Sequence, residues 1–185
     1  MTIEVIGRAS GQPLCIRALG LDDVPRMLDL QAEVYPPGLH ESAQVLSSKI
    51  SAVPAGWTSL AATQGGHLCA YALGYPWRAD LQLRWNQSLV RSDDCDVLYV
   101  HDVAVSVACA GRGIARDLVS QLLLQGARFG LDRAILIAVE GAQSYWSRHG
   151  FVAADAGQVD PAFGSDAVLM SRRLDLSEAE PLARQ

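Results

Sequence analysis

The run Leu98-Tyr-Val-His-Asp-Val-Ala-Val105 sets an imidazole and a carboxylate side by side within strand-forming residues. His101 has the residue type for a general base, directly or through water, because imidazole titrates near 6.5. Tyr99, two residues earlier, shares its face of a strand, whereas Asp102 points to the opposite face unless a bulge intervenes. The plainer readings stand beside these. A strand histidine is often satisfied by a backbone carbonyl, and Asp102 reads first as a structural group that caps amides or orients a polar neighbour.

A glycine turn comes directly after. Val103, Val105 and Val107 favour extended backbone, Gly111 and Gly113 allow unusual dihedrals, and from Ile114 the apolar residues Ile114, Leu118 and Leu122 recur four apart. Free amides at the first turn of such a helix, with the positive end of its dipole, can hold a phosphate or pyrophosphate. Arg112 and Arg116 either add charge to that cradle or are solvated helix residues. Taken alone, the segment also fits a tight strand-to-helix connection with no ligand.

The surrounding chain bounds what this chemistry serves. Its 185 residues, half of them hydrophobic, suffice for one packed core, with a domain over residues 1–175 and a polar tail over 176–185. A formal charge of -5 and no dense Lys/Arg run argue against a nucleic-acid partner. Lys49 is the only lysine among mostly arginine bases. Cys15, Cys69, Cys95 and Cys109 are scattered without a CxxC or clustered histidines, which predicts no metal site and no disulfide framework. With no signal-peptide core and no run of about 18 apolar residues, the expectation is a soluble, cytoplasmic protein without membrane attachment.

Elements that position these residues are legible in the pattern. A strand at Leu14–Ala18 precedes a helix capped by Asp22 or Asp23, with Val24, Met27, Leu28 and Val34 as its stripe, ended by Tyr35-Pro-Pro-Gly38. A second helix from Ser42 carries Val45, Leu46, Ile50 and Val53 and stops before Pro54. Strands over 58–63 and 68–75 flank Gln64-Gly65-Gly66-His67, a hairpin signal. Residues 76–96 form a long loop with Trp77 and Trp85. A strand over 97–105, a helix over 113–129 and a strand over 133–139 make a crossover, so those two strands run parallel. A short helix over 141–149 and strands over 151–154 and 167–174 close the fold.

That order resembles the GCN5-related N-acetyltransferase superfamily from about Leu14 to Leu174. Two motifs carry the resemblance. The family's acetyl-coenzyme A signature, Gln or Arg, two residues, Gly, one residue, then Gly or Ala, falls on Ala110, Gly113 and Ala115, and a helix pattern ending in Gly-Phe falls on EGAQSYWSRHGF, Glu140 to Phe151. The resemblance implies an α/β domain with a mixed, mostly antiparallel sheet of six to seven strands, about four helices and a splayed parallel central pair. It also implies acetyl-CoA as donor, no metal, the backbone of Val103, Ala104 and Val105 along the pantetheine arm, and amides of Gly111 to Ala115, including Ile114, on the pyrophosphate.

This chain departs from the family twice. Ala110 stands where relatives carry Arg or Gln, so Arg112 or Arg116 would have to replace that charge. Trp146 stands where relatives carry the Tyr that protonates the leaving thiolate; an indole N–H has no accessible acid pKa but can donate a hydrogen bond to sulfur. Tyr145, one residue off, is expected to point away into the core. The 98–102 strand is similar to that of the arylalkylamine N-acetyltransferases, whose histidines match Tyr99 and His101; only the second is kept.

The acceptor pocket is expected from Tyr35–Glu41 and Pro76–Trp85, with Tyr35, Trp77 and Trp85 as aromatic walls and Asp102, Glu33 or Glu41 as carboxylates near an amine. The expected function is transfer of acetyl from acetyl-CoA to a primary amine of a small molecule in a ternary complex. Two other readings stand: a protein or peptide N-terminal acetyltransferase, and a non-catalytic acyl-CoA-binding module. A homodimer is compatible with the family.

Overall fold

The structure, a computed structural model, describes residues 3–4, 13–154 and 159–175; the expected polar tail over 176–185 lies outside the described residues. One sheet of eight strands runs in the order β1-β2-β3-β4-β5-β6-β8-β7. The strands are β1 (Ile3–Glu4), β2 (Leu14–Ala18), β3 (Leu60–Gln64), β4 (His67–Trp77), β5 (Val97–Val105), β6 (Arg133–Ala138), β7 (Val152–Ala153) and β8 (Val168–Arg173). Two of these, β1 and β7, have two residues each and take the count above the six to seven expected. Four helices join them: α1 (Val24–Val34), α2 (Ala43–Ser51), α3 (Ile114–Arg128) and α4 (Gln143–Ser147).

Local chemistry sets the ends of these elements. Asp23 caps a short turn before α1 rather than α1 itself: its carboxylate accepts from Gly20 N at 2.9 Å and from both terminal nitrogens of Arg17 at 2.6 and 2.7 Å. The hydroxyl of Ser42 accepts from Val45 N at 3.3 Å and starts α2. Gly65 and Gly66, both in the left-handed region, make the two-residue hairpin between β3 and β4.

β4 runs on through Pro76 and Trp77, two residues into the segment expected as loop. They pair with Leu98 and Val97 of β5. A proline is tolerated there because β3 pairs β4 only as far as Ala72, so the other edge carries no strand. On that edge the freed Gly74 backbone is satisfied by side chains: Trp57 Nε1 and Ser59 Oγ donate to its carbonyl at 2.7 and 2.9 Å.

The sheet has two covered faces. α1 and α2 close one over Met27, Leu30, Leu46, Tyr71, Leu73 and Ala104. On the other, α3 presents Leu118, Val119 and Leu122, each fully buried and worth about 1.5–3 kcal/mol of transfer free energy. No helix among the described residues is long and apolar enough to cross a membrane.

Two irregularities of β5 shape the middle of the sheet. Its parallel pairing with β6 is confined to Leu98 opposite Ala134 and Tyr99 opposite Ile135, after which the two strands part. Its antiparallel register with β4 shifts at the same place: Gly74 faces Val100, Leu73 faces Asp102, and His101 is left opposite no residue.

Gly74 permits both the tight packing and the shift. A Cβ there would lie 2.7 Å from Leu122 Cδ2 and 3.1 Å from the Tyr99 carbonyl. Gly74→Ala is therefore expected to cost about 1–3 kcal/mol, read as a lower urea midpoint, and to lower activity in whatever fraction stays folded.

Candidate functional site

The register shift decides which groups meet. Because His101 is the extra residue, both it and Asp102 project toward the α1/α2 side, and both line one cleft. This corrects the alternation expected for Asp102; the bulge that would overturn it is present.

Asp102 is anchored by two phenols. Tyr35 Oη donates to it at 2.6 Å, and Tyr71 Oη donates to its other oxygen in a very short contact. Burial, reinforced by the Asp102 carboxylate, pushes both phenols well above their ordinary range, so they remain neutral donors. Tyr35, expected as a pocket wall, thus also fixes Asp102, and it reaches the Val103 carbonyl at 3.0 Å.

His101 has a more strongly charged setting. Its side chain is only 4% exposed, and Nε2 lies 2.9 Å from Glu41 Oε2 and 2.8 Å from Lys49 Nζ. Lys49 Nζ donates to Glu41 Oε1 at 2.5 Å. Both Glu41 and Lys49 side chains are 1% exposed. Burial raises the Glu41 carboxyl, but His101 and Lys49 outweigh it and hold it at about 2. For Lys49 burial prevails and lowers the ammonium below the usual lysine range, against the pull of Glu41.

Glu41 is consequently not a free carboxylate for an amine, and neither is Glu33, which accepts from Ser106 Oγ and Val107 N at 2.9 and 2.7 Å. Lys49 was missed in sequence. The signal was there: the chain's single lysine falls on the α2 stripe of Val45, Leu46 and Ile50, where a cation needs a buried partner.

The cleft has a volume of about 360 Å³ and lies between the parted strands, with Val103 on one side and Val139, Ala142, Tyr145 and Trp146 on the other. A smaller chamber of about 70 Å³ shares His101, Asp102, Tyr35 and Ile137 with it and is walled by Leu39, Trp85 and Phe163. Trp85 stacks on His101 at 6.4 Å between ring centroids.

Two of the other expected residues fall elsewhere. Trp77 and Tyr99 line a separate recess with Leu83 and Leu89, although the Tyr99 hydroxyl lies 3.4 Å from His101 Nδ1. Trp146 packs edge-on against Phe151 at 5.6 Å. Tyr145 lines the cleft instead of entering the core, and its hydroxyl is buried with no hydrogen-bond partner. Burial raises that phenol's pKa, which leaves it protonated at neutral pH.

At the other end of β5, Gly111 and Gly113 adopt φ of +74° and +79°, and a Cβ on either would meet nothing within 4 Å. Open space in front of left-handed glycines at the start of a 15-residue helix fits a pyrophosphate. Ile114 is buried under α3, so only its backbone faces the turn. Ala110 and Ala115 contribute no side-chain donor. Arg112 is turned away, donating to Gln64 Oε1 at 3.0 Å and approaching Cys109 Sγ at 3.7 Å. Arg116 is exposed on the first turn of α3. Burial and then Arg172, Arg116 and Arg148 lower the His149 imidazole, so positive charge gathers on this side. Beyond Tyr99 the β6-facing edge of β5, through Val103, Ala104 and Val105, carries no strand among the described residues, which suits an extended ligand arm. Among the described residues no cluster of His, Cys, Asp or Glu is placed to hold a metal ion.

Comparison with known proteins agrees with this geometry. A family model described as "Acetyltransferase (GNAT) family" matches residues 24–151. No curated protein sequence matches the chain. Among solved structures, the chain is similar to the loading GNATL domain of CurA from Lyngbya majuscula, with TM-score 0.73, 11% identity, and 87% of this chain and 98% of that one covered. It is also similar to the GphF GNAT-like decarboxylase in complex with isobutyryl-CoA, with TM-score 0.70, 14% identity, and 86% and 99% covered. A third is the ribosomal-protein-S18-alanine N-acetyltransferase from Escherichia coli, with TM-score 0.61, 14% identity, and 93% and 99% covered.

Gly113→Ala places a methyl group where a phosphate would sit and strains a left-handed residue by about 1–2 kcal/mol. Calorimetric titration with CoA is expected to show affinity reduced at least about tenfold, with the melting temperature lowered only slightly.

Proposed function

Since this chain belongs to the acetyltransferase (GNAT) family, we propose that it transfers the acetyl group of acetyl-CoA to a primary amine of a small molecule, with direct attack in a ternary complex. The observation that carries this reading is His101, held by buried Glu41, on the wall shared by the cleft and the smaller chamber. The chamber has a volume of only about 70 Å³ and is lined by Leu39, Trp85 and Phe163, which favours a compact acceptor over a peptide.

Each residue has a role in this chemistry. With Nε2–H donated to Glu41, His101 Nδ1, 3.4 Å from the Tyr99 hydroxyl, is the unprotonated ring nitrogen that takes the proton of the attacking amine. The new N–C bond forms as the C–S bond breaks. Tyr145, neutral and without a partner, supplies the proton for the departing sulfur in place of the residue lost at Trp146. Asp102, held by two phenolic donors, keeps the chamber's shape beside the incoming amine. Backbone amides from Gly111 to Ala115 and the charge of Arg116 hold the donor's phosphates.

Thiol release from acetyl-CoA with a panel of small amines and a panel of peptides tests the proposal. Turnover on the small amines is expected; turnover on peptides alone, or tight CoA binding with turnover on neither, overturns it. His101→Ala is expected to lose about 10²-fold or more in turnover, most strongly below pH 8, with CoA affinity intact. Tyr145→Phe should lose about 10-fold or more, and Trp146→Phe much less.

A further inference from the structure

Lys49 has no part in the proton transfers assigned to His101 and Tyr145, yet its Nζ lies 2.8 Å from the nitrogen that must carry a proton if His101 is to act as a base. We propose that Lys49 is a positioning residue and proton store for His101: one proton is shared between Lys49 Nζ and His101 Nε2, and the two titrate as one base. This rests on the reading of His101 as the base.

The geometry allows few arrangements of protons. A 2.8 Å contact between two nitrogens needs one hydrogen between them, because two would place donor against donor and none would place lone pair against lone pair. If Lys49 stays an ammonium, it donates to Nε2, the imidazole proton is on Nδ1, and no ring lone pair is left to take a proton. If Lys49 is an amine, Nε2–H is shared between Nζ and Glu41 Oε2, and Nδ1, 3.4 Å from the Tyr99 hydroxyl, is unprotonated.

Catalysis therefore starts from the amine form. The proton taken from the acceptor enters at Nδ1, the Nε2 proton moves to Nζ, and the cation comes to rest beside the Glu41 carboxylate at 2.5 Å. Protons balance at each step, and the charge gained is neutralised by an anion already buried there. Burial, which disfavours the ammonium, acts in the same direction as this requirement.

The other groups facing His101 do not offer an alternative store. Tyr75 from β4 and Tyr99 from β5 are phenols pushed far up by burial. Asp102 is occupied by Tyr35 and Tyr71. Trp85, from the long loop, covers the ring without titrating.

The test uses the accident that Lys49 is the only lysine. Labelling lysine Cε with carbon-13 gives one NMR signal in the intact protein, read without substrate or turnover. Lys49 and His101 signals, the latter identified by loss in His101→Gln, are expected to move together over one pH interval below the ordinary lysine range near 10.4. A Lys49 signal that stays that of an ammonium to pH 10 while His101 titrates alone overturns the proposal. Kinetics give an independent sign. Lys49→Met removes the store, so the acidic limb of the pH–rate profile should move about one unit toward acid; a limb that stays put or moves toward alkali, as loss of a fixed cation would produce, overturns it. Lys49→Arg, a permanent cation on Nε2, should cost about 10²-fold in turnover; near-parent turnover overturns it. Failure of the amine panel with joint titration intact would count against the acetyl-transfer reading and leave the shared proton standing.

Discussion

One unmatched residue in β5 organises the site. At His101 the ladder with β4 slips by one, so that Leu73 meets Asp102 and Gly74 meets Val100. Without that slip, strict alternation would send Asp102 toward α3 and break its bonds to Tyr35 and Tyr71. Here the imidazole and the carboxylate open on one cleft, and β5 leaves β6 immediately beyond Tyr99. The same short stretch thus creates both the candidate catalytic face and the gap that an acyl-CoA arm needs. Gly74 makes it possible, since no side chain would fit between Leu122 and the Tyr99 carbonyl.

The helical arm then supplies charge to that face. Glu41 and Lys49 belong to α2 and the turn before it, far from His101 in sequence, and both lie in nearly complete burial. A buried ion pair contributes little net stability, because desolvation offsets the attraction. Its position beside His101 is what the proposed sharing of a proton would use. The anchoring is extensive: the Glu41 amide donates to the buried Gln31 side chain at 3.1 Å, and Ser42 caps the helix that carries Lys49. The setting of one strand residue therefore depends on two helices packed above it.

The proposed donor site rests on different terms. Backbone amides and left-handed glycines would hold the phosphates there, and these need no side-chain donor at Ala110. Arg112 does not compensate, because Gln64 holds it back; the exposed Arg116 is the nearer source of charge. At the other end, beside Trp146, Tyr145 lines the cleft with its hydroxyl buried and without a hydrogen-bond partner. α4 has only five residues, too short for helical periodicity alone to settle which of its side chains face inward.

Local sequence determined most of the elements and their order: the Ser42 cap, the Gly65-Gly66 hairpin, the apolar spacing of α3 and the glycines of the cradle are all short-range signals. From these, and from two motifs, the family and its acyl-CoA chemistry were legible, and His101 as a candidate with them. The tertiary structure alone decided the partners of His101, the orientation of Asp102, the turn of Tyr145 into the cleft, and the exclusion of Trp77 in favour of Trp85. The physical reason is common to all four. A bulge, a buried ion pair and a chamber wall each depend on contacts between segments tens of residues apart, whose energies no local spacing records.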